Sequence, residues 1–188
     1  AGFRMNRCRF NLSMLTLSLG STACIGSANS FSEDGVVLFY SWGGHTRKIA
    51  GALSTLYRIP MVEICSVFVF PEDPYETASL SRSQRARNEY SDTFTVPKEF
   101  NIAAYKNIWI GAPVWNGRLP TPVRSFLNET PLVGKELYVF SSYQGSGSEG
   151  FLEELKSLAP KSVTRKSFFH IESRPLLINE LSGWIIRR

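Results

Sequence analysis

The residues best suited to chemistry lie in Ser41-Trp42-Gly43-Gly44-His45-Thr46. They follow Val36-Val37-Leu38-Phe39-Tyr40, a β-branched and aromatic run, and precede Ile49, Leu53 and Leu56, spaced i, i+4 and i+7. A strand, a small polar turn and a helix in that order make an anion site. The turn exposes backbone N–H groups, and the helix N-terminus adds a partial positive charge. Ser41 and Thr46 bring hydroxyls that can reach the same anion. An ordinary strand-to-helix turn uses the same residue types, so this stretch alone leaves both readings open.

Two more segments of this kind follow apolar runs: Pro113-Val114-Trp115-Asn116-Gly117-Arg118 and Ser142-Tyr143-Gln144-Gly145-Ser146-Gly147. Trp115, in a loop bounded by Pro113 and Pro120, offers a flat apolar face for stacking. Gly145 to Gly150 spells a literal G-x-G-x-x-G, with Glu172 about twenty residues beyond, as a dinucleotide fingerprint requires. That fingerprint belongs to the first strand-helix unit of a domain, whereas only one strand and one helix are expected after this one. Dinucleotide binding is therefore not expected. Hydrolysis is not expected either: the histidines are His45 and His170, and no G-x-S-x-G elbow is present. Of the cysteines Cys8, Cys24 and Cys65, only Cys65 lies in the patterned part of the chain. With no C-x-x-C and no Cys/His cluster, neither a metal site nor a disulfide framework is expected.

The elements that must position these loops can be followed in order. A first strand ends at Tyr40 and a helix ends near Tyr57, because Pro60 forbids its continuation. Met61 to Phe70 reads as one β-rich run, broken by Pro71-Glu72-Asp73-Pro74. Tyr75 to Tyr90 reads as a polar helix whose Arg82, Arg85 and Arg87 form a solvated face, and Ser91 to Ala104 as a surface connection. Asn107 to Ala112 is a third strand. Thr121 then caps a helix with Pro122 at its first position and Val123, Phe126 and Leu127 on its buried face. Glu136 to Ser141 is a fourth strand. Ser146 and Glu149 fit a capping box before the stripe Phe151, Leu155 and Leu158. A fifth strand lies between Ser162 and Ile171, and a last helix carries Ile178, Leu181, Trp184 and Ile185 on one face. This alternation predicts an α/β fold: an open five-stranded parallel sheet with helices on both faces. In such sheets the loops 41–46, 113–118 and 142–147 gather at the carboxyl ends of the strands, where ligands bind.

Composition agrees with one globular domain: 43% hydrophobic and 20% charged residues over 188. The formal charge is +5, but Arg4, Arg7 and Arg9 account for three of it, and the remaining +2 does not argue for nucleic-acid binding. Residues 1–28 are expected to be a secretory leader: Arg7 and Arg9, an uncharged run from Phe10 to Leu19, then small residues ending in Ala23 or Ala28. The run is too short to span a membrane. Cys24 is a candidate lipid anchor. An extracytoplasmic location is expected, a cytoplasmic one being the alternative.

From about Gly35 to Arg188 the chain resembles the flavodoxin family, in its short form; residues 33–188 are read as that domain. The family's phosphate loop, Ser/Thr-x-Thr-Gly-x-Thr, is matched here by Ser41, Gly44 and Thr46, with Gly43 in place of a threonine and His45 where asparagine is common. Gly111-Ala112-Pro113-Val114-Trp115-Asn116-Gly117, with Leu119-Pro120-x-Pro122, matches the ring-binding loop. Ser142 to Gly147 matches the segment that touches the flavin's polar edge in relatives. The resemblance implies strand order 2-1-3-4-5 and FMN as cofactor. It implies a site made of Ser41, Trp42, Gly43, Gly44, His45 and Thr46 at the phosphate, with Pro113, Val114, Trp115, Asn116, Gly117, Ser142, Tyr143, Gln144, Gly145 and Gly147 at the ring. The function implied is electron transfer with a redox partner protein or a small donor or acceptor. An FMN-dependent NAD(P)H:quinone reductase and a flavin-free binding module are the alternatives. The three loops contain no Asp or Glu, while Arg118 and Arg47 lie in or beside them, so the second reduction step is expected at a less negative potential than in an acidic flavodoxin.

Overall fold

A computed structural model describes residues 10–11, 34–89, 94–145 and 147–186. In chain order they form β1 (Phe10–Asn11), β2 (Gly35–Phe39), α1 (His45–Tyr57), β3 (Met61–Glu63), β4 (Cys65–Ser66), α2 (Pro74–Ala86), β5 (Phe94–Thr95), a 3-10 turn at Ile102–Ala104, β6 (Asn107–Pro113), α3 (Thr121–Glu129), β7 (Glu136–Tyr143), α4 (Glu149–Leu158), β8 (Val163–Ile171) and α5 (Ile178–Ile186).

The main sheet runs β1-β3-β2-β6-β7-β8. Its last five strands are parallel, in the expected order 2-1-3-4-5. β1 adds an antiparallel edge, with Phe10 opposite Val62; the rest of the expected leader lies outside the described residues.

Side chains alternate across the sheet with the period of two that a strand imposes. Val36, Leu38, Ile108, Ile110 and Val139 join Val123, Phe126, Phe151 and Leu155 on one face. Val37, Phe39, Trp109, Tyr138 and Phe140 join Ile49, Leu53 and Leu181 on the other. There Trp109 stacks on Tyr138 at 4.5 Å between ring centroids. The register sets Gly111 opposite Phe140, and a Cβ on Gly111 would fall 2.1 Å from the Phe140 ring. Only glycine leaves room for that ring.

Several local expectations are corrected. Met61 to Phe70 is not one strand. The Ile64 N–H donates to Phe39 O at 2.7 Å, and beyond it the chain leaves the sheet. Cys65–Ser66 then pairs antiparallel with Phe94–Thr95. The connection Ser91 to Ala104 therefore contains a strand, and a 3-10 turn capped where Ala103 N–H donates to Asn101 Oδ1. In α3 the cap is Pro120, so Thr121 and Pro122 are already helical; its expected buried face is present. α4 starts at Glu149 behind Ser148, with no side-chain cap bond. Glu149 thus stands at the first helical position instead of the third, which rules out the capping box; Ser146 lies outside the described residues. In α5 Leu181 is buried, but Ile178 is 62% exposed. The side chains of Trp184 and Ile185 lie outside the described residues. Cys65 is disulfide-bonded, a single cross-link where no disulfide framework was expected. No helix among the described residues is long and apolar enough to cross a membrane.

Candidate functional site

The three loops meet at the carboxyl end of the sheet, and hydrogen bonds join them. In the first, Gly44 has φ +86°, and a Cβ there would meet nothing within 4 Å. This left-handed residue turns β2 into α1 without a side-chain cap. Ser41 Oγ accepts from the Arg47 N–H at 3.2 Å. Among the described residues, the N–H groups of Trp42, Gly43, Gly44, His45 and Thr46 have no protein acceptor. Thr46 is buried, and its hydroxyl shares a hydrogen bond of 2.9 Å with Ser142 Oγ. It therefore staples the first loop to the third, where the sequence suggested an anion ligand.

The second loop is a tight hairpin. Trp115 and Arg118 exchange both backbone hydrogen bonds at 3.0 Å. Between them Asn116 and Gly117 have φ +53° and +75°, the geometry an Asn-Gly pair favours. Val114 N–H donates to Ser142 O at 2.9 Å, joining this loop to the third. A Cβ on Gly150 would lie 2.9 Å from Gly117 O. The last glycine of the apparent dinucleotide fingerprint thus serves close packing of α4 on the second loop.

The α2 arginines are not simply a solvated face. Arg82 Nη2 donates to Asn116 Oδ1 at 3.3 Å, and Asn116 Nδ2 donates to Ala78 O at 2.9 Å. Arg85 Nη2 donates to Leu119 O at 2.7 Å, while Leu119 N–H donates to Glu154 Oε2 at 3.0 Å. Buried Glu154 also pairs with Arg85 and Arg124. A single carboxylate on α4 thereby joins α2, α3 and the end of the ring loop. Arg82 and Arg87 are exposed as expected, Arg87 pairing with Glu89 at the surface, and it is Arg85 that departs from the solvated face.

Trp115 is 7% exposed. Edges and faces meet around it: Phe70 at 4.7 Å between centroids and inclined at 68°, and Tyr40 at 5.7 Å and Trp42 at 6.4 Å, both near perpendicular. Trp42 Nε1–H donates to Pro71 O. Burial, and the carboxylate of Glu63 after it, push the Tyr40 phenol above its ordinary range. Pro113 closes β6 and is buried; Tyr143 is half-buried, and Gln144, Gly145 and Gly147 are exposed.

Sequence reasoning missed Glu172. It follows β8, and its Oε2 accepts from Gln144 Nε2 at 3.0 Å and lies 3.7 Å from His45 Nε2. Its position just past the fifth strand was the available signal. His170, expected to be structural, is buried, with Nε2 at 3.1 Å from Arg174 O. Arg47 pairs with Glu63 at 2.5 Å. Arg118 lines a cavity of about 540 Å³ with Arg85, Arg124, Glu153 and Glu154. Among the described residues no cluster of His, Cys, Asp or Glu could hold a metal ion.

Residues 35–185 match the sequence model of the flavodoxin family. Among solved structures, the chain is similar to a flavoprotein from Lactobacillus acidophilus in complex with FMN, at 21% identity and TM-score 0.63, over 81% of this chain and 99% of that one. It is also similar to a putative flavoprotein from Bacteroides uniformis, at 19% identity and TM-score 0.68, over 82% and 98%. A third, from Bacteroides eggerthii, has 20% identity and TM-score 0.66, over 82% and 96%. No curated protein matches the chain.

Proposed function

The chain belongs to the flavodoxin family, and on that premise we propose that it holds FMN between its three loops and acts as an electron carrier. The observation that carries this is the turn 42–46: its N–H groups have no protein acceptor among the described residues, and it is bonded to the loop that would meet the ring. Such N–H groups replace the water around a phosphate without a buried counter-ion. The open space at Gly44 and at Gly145, where a Cβ would touch nothing within 4 Å, fits close approach of a ligand to both loops. When bound, the flavin supplies the electron chemistry. Residues 42–46 would hold its phosphate, the backbone of Asn116, Gly117 and Gly145 its polar edge, and Trp115 its flat face. The carrier reading leaves the partner as a protein or small molecule with accessible redox chemistry. The disulfide at Cys65 supports export, because such bonds persist in oxidising compartments.

Calorimetric titration with FMN and with riboflavin tests the site. FMN should bind more tightly by at least about 1.5 kcal/mol, the scale of hydrogen bonds to a charged group. Equal affinities overturn it.

A further inference from the structure

The turn with the available N–H groups also carries a titratable ring that faces a carboxylate. His45 opens α1, and its Nε2 stands 3.7 Å from Glu172 Oε2, with side chains 40% and 12% exposed. The same oxygen accepts from Gln144 Nε2 at 3.0 Å. The Glu172 N–H donates to Tyr143 O at 2.9 Å, which fixes the residue beside the third loop. A carboxylate this shielded is an unfavourable neighbour for a phosphate dianion, because like charges in poor solvent repel strongly. The other ionisable groups on α1 and the elements against it do not stand between the two. Arg47 is paired with Glu63 and Glu136 with Arg165. Lys48, Arg174 and Glu180 are exposed, and His170 is turned to Arg174 O.

Resting on the flavin reading above, we propose that His45 takes up a proton when the phosphate of FMN binds, and that Glu172 is the residue that positions it. Without ligand the imidazole has one anionic neighbour. With phosphate on the adjacent N–H groups it has two, and the added dianion favours the imidazolium. The proton comes from the buffer, and no covalent bond changes. A neutral ring would leave carboxylate and phosphate facing each other with no positive charge between them. Preference for FMN over riboflavin is therefore linked to pH, and the bond from Glu172 to Gln144 ties phosphate occupancy to the ring loop.

The test is titration of the protein with FMN and with riboflavin across neutral to alkaline pH. The FMN phosphate is already a dianion above about pH 6, so a slope beyond neutrality belongs to the protein. FMN affinity should fall by up to about tenfold per pH unit there, by linkage, and riboflavin affinity should stay level. His45→Asn should remove the slope and keep riboflavin binding, which also reports that the variant is folded. Glu172→Gln keeps an acceptor for Gln144, and at about pH 9 should bind FMN several-fold more tightly than the unaltered chain, the gain shrinking in high salt. Calorimetry in buffers of different ionisation enthalpy should show proton uptake with FMN and none with riboflavin. A level FMN profile, or a slope that survives His45→Asn, overturns the proposal while leaving the flavin reading standing. Equal FMN and riboflavin affinities at every pH would instead remove the phosphate site itself.

Discussion

Trp115 illustrates what a residue's type discloses and what it withholds. Its loop and its flat ring marked it for flavin stacking, but the ring is 7% exposed among Phe70, Tyr40 and Trp42. It is at once a core residue and the proposed stacking face, so truncation should cost both. We expect Trp115→Ala to lower stability by about 3 kcal/mol, the scale for emptying a buried aromatic site. Trp115→Phe should keep most of that stability and still lose affinity for riboflavin, which lacks the phosphate and so reports the ring alone. Urea unfolding and fluorescence titration measure the two. A Trp115→Ala chain with an unchanged midpoint would contradict the burial. Thr46 makes the same point: its type fitted an anion, yet its hydroxyl bonds Ser142 Oγ. Arg118 shares its cavity with Glu153 and Glu154, and Glu172 brings a carboxylate to the first loop from outside it. A charge inventory of the loops alone therefore overstates how positive the site is.

Between elements, one carboxylate does the joining. Glu154 on α4 meets Arg85 on α2, Arg124 on α3 and the backbone of Leu119. Glu154→Ala should cost about 2–4 kcal/mol, because hydrogen bonds to a charged group are lost in a buried place. It should also weaken riboflavin and FMN binding by the same factor, since it loosens the ring loop and leaves the phosphate turn alone. Loss confined to FMN would show that the clamp does not act on the ring loop. None of this was legible in the sequence, where Arg85 is one of three arginines on a polar helix and its partner is far along the chain. The strand-turn-helix units were legible, because Gly, Pro and hydrophobic period are local signals. The departure of the chain from the sheet after Ile64 was not: residues 61–70 are uniformly good strand formers, and only the bond from Ile64 to Phe39 shows where the ladder ends. Glu172 was missed for a related reason. Its importance comes from its approach to His45 in the first loop, which follows a strand that β6 and β7 separate from β8 in the sheet, so no local signal joins the two.

For the whole molecule, the disulfide bears on how the chain is processed. Cys65 is disulfide-bonded, and the other cysteines are Cys8 and Cys24. Within one chain, that bond and removal of everything through Ala28 exclude each other. Cleavage after Ala23 keeps Cys24 but gives up β1, which covers the edge of β3. We expect intact mass of the protein from its native host to show a start at Cys24; with that start, a gain of two hydrogens on reduction would identify Cys24 as the partner of Cys65. A start at Asn29 would require Cys65 to pair outside its own chain, and a lipid on the Cys24 thiol would do the same. Gly111 and Phe140 carry a consequence of another kind. The ring occupies the place of the missing Cβ, so a larger residue at 111 has to wait for a smaller one at 140, and a smaller one at 140 leaves a void until 111 fills it. Each single step leads through a weaker protein, and descendants of this chain should inherit the two positions together or change them together.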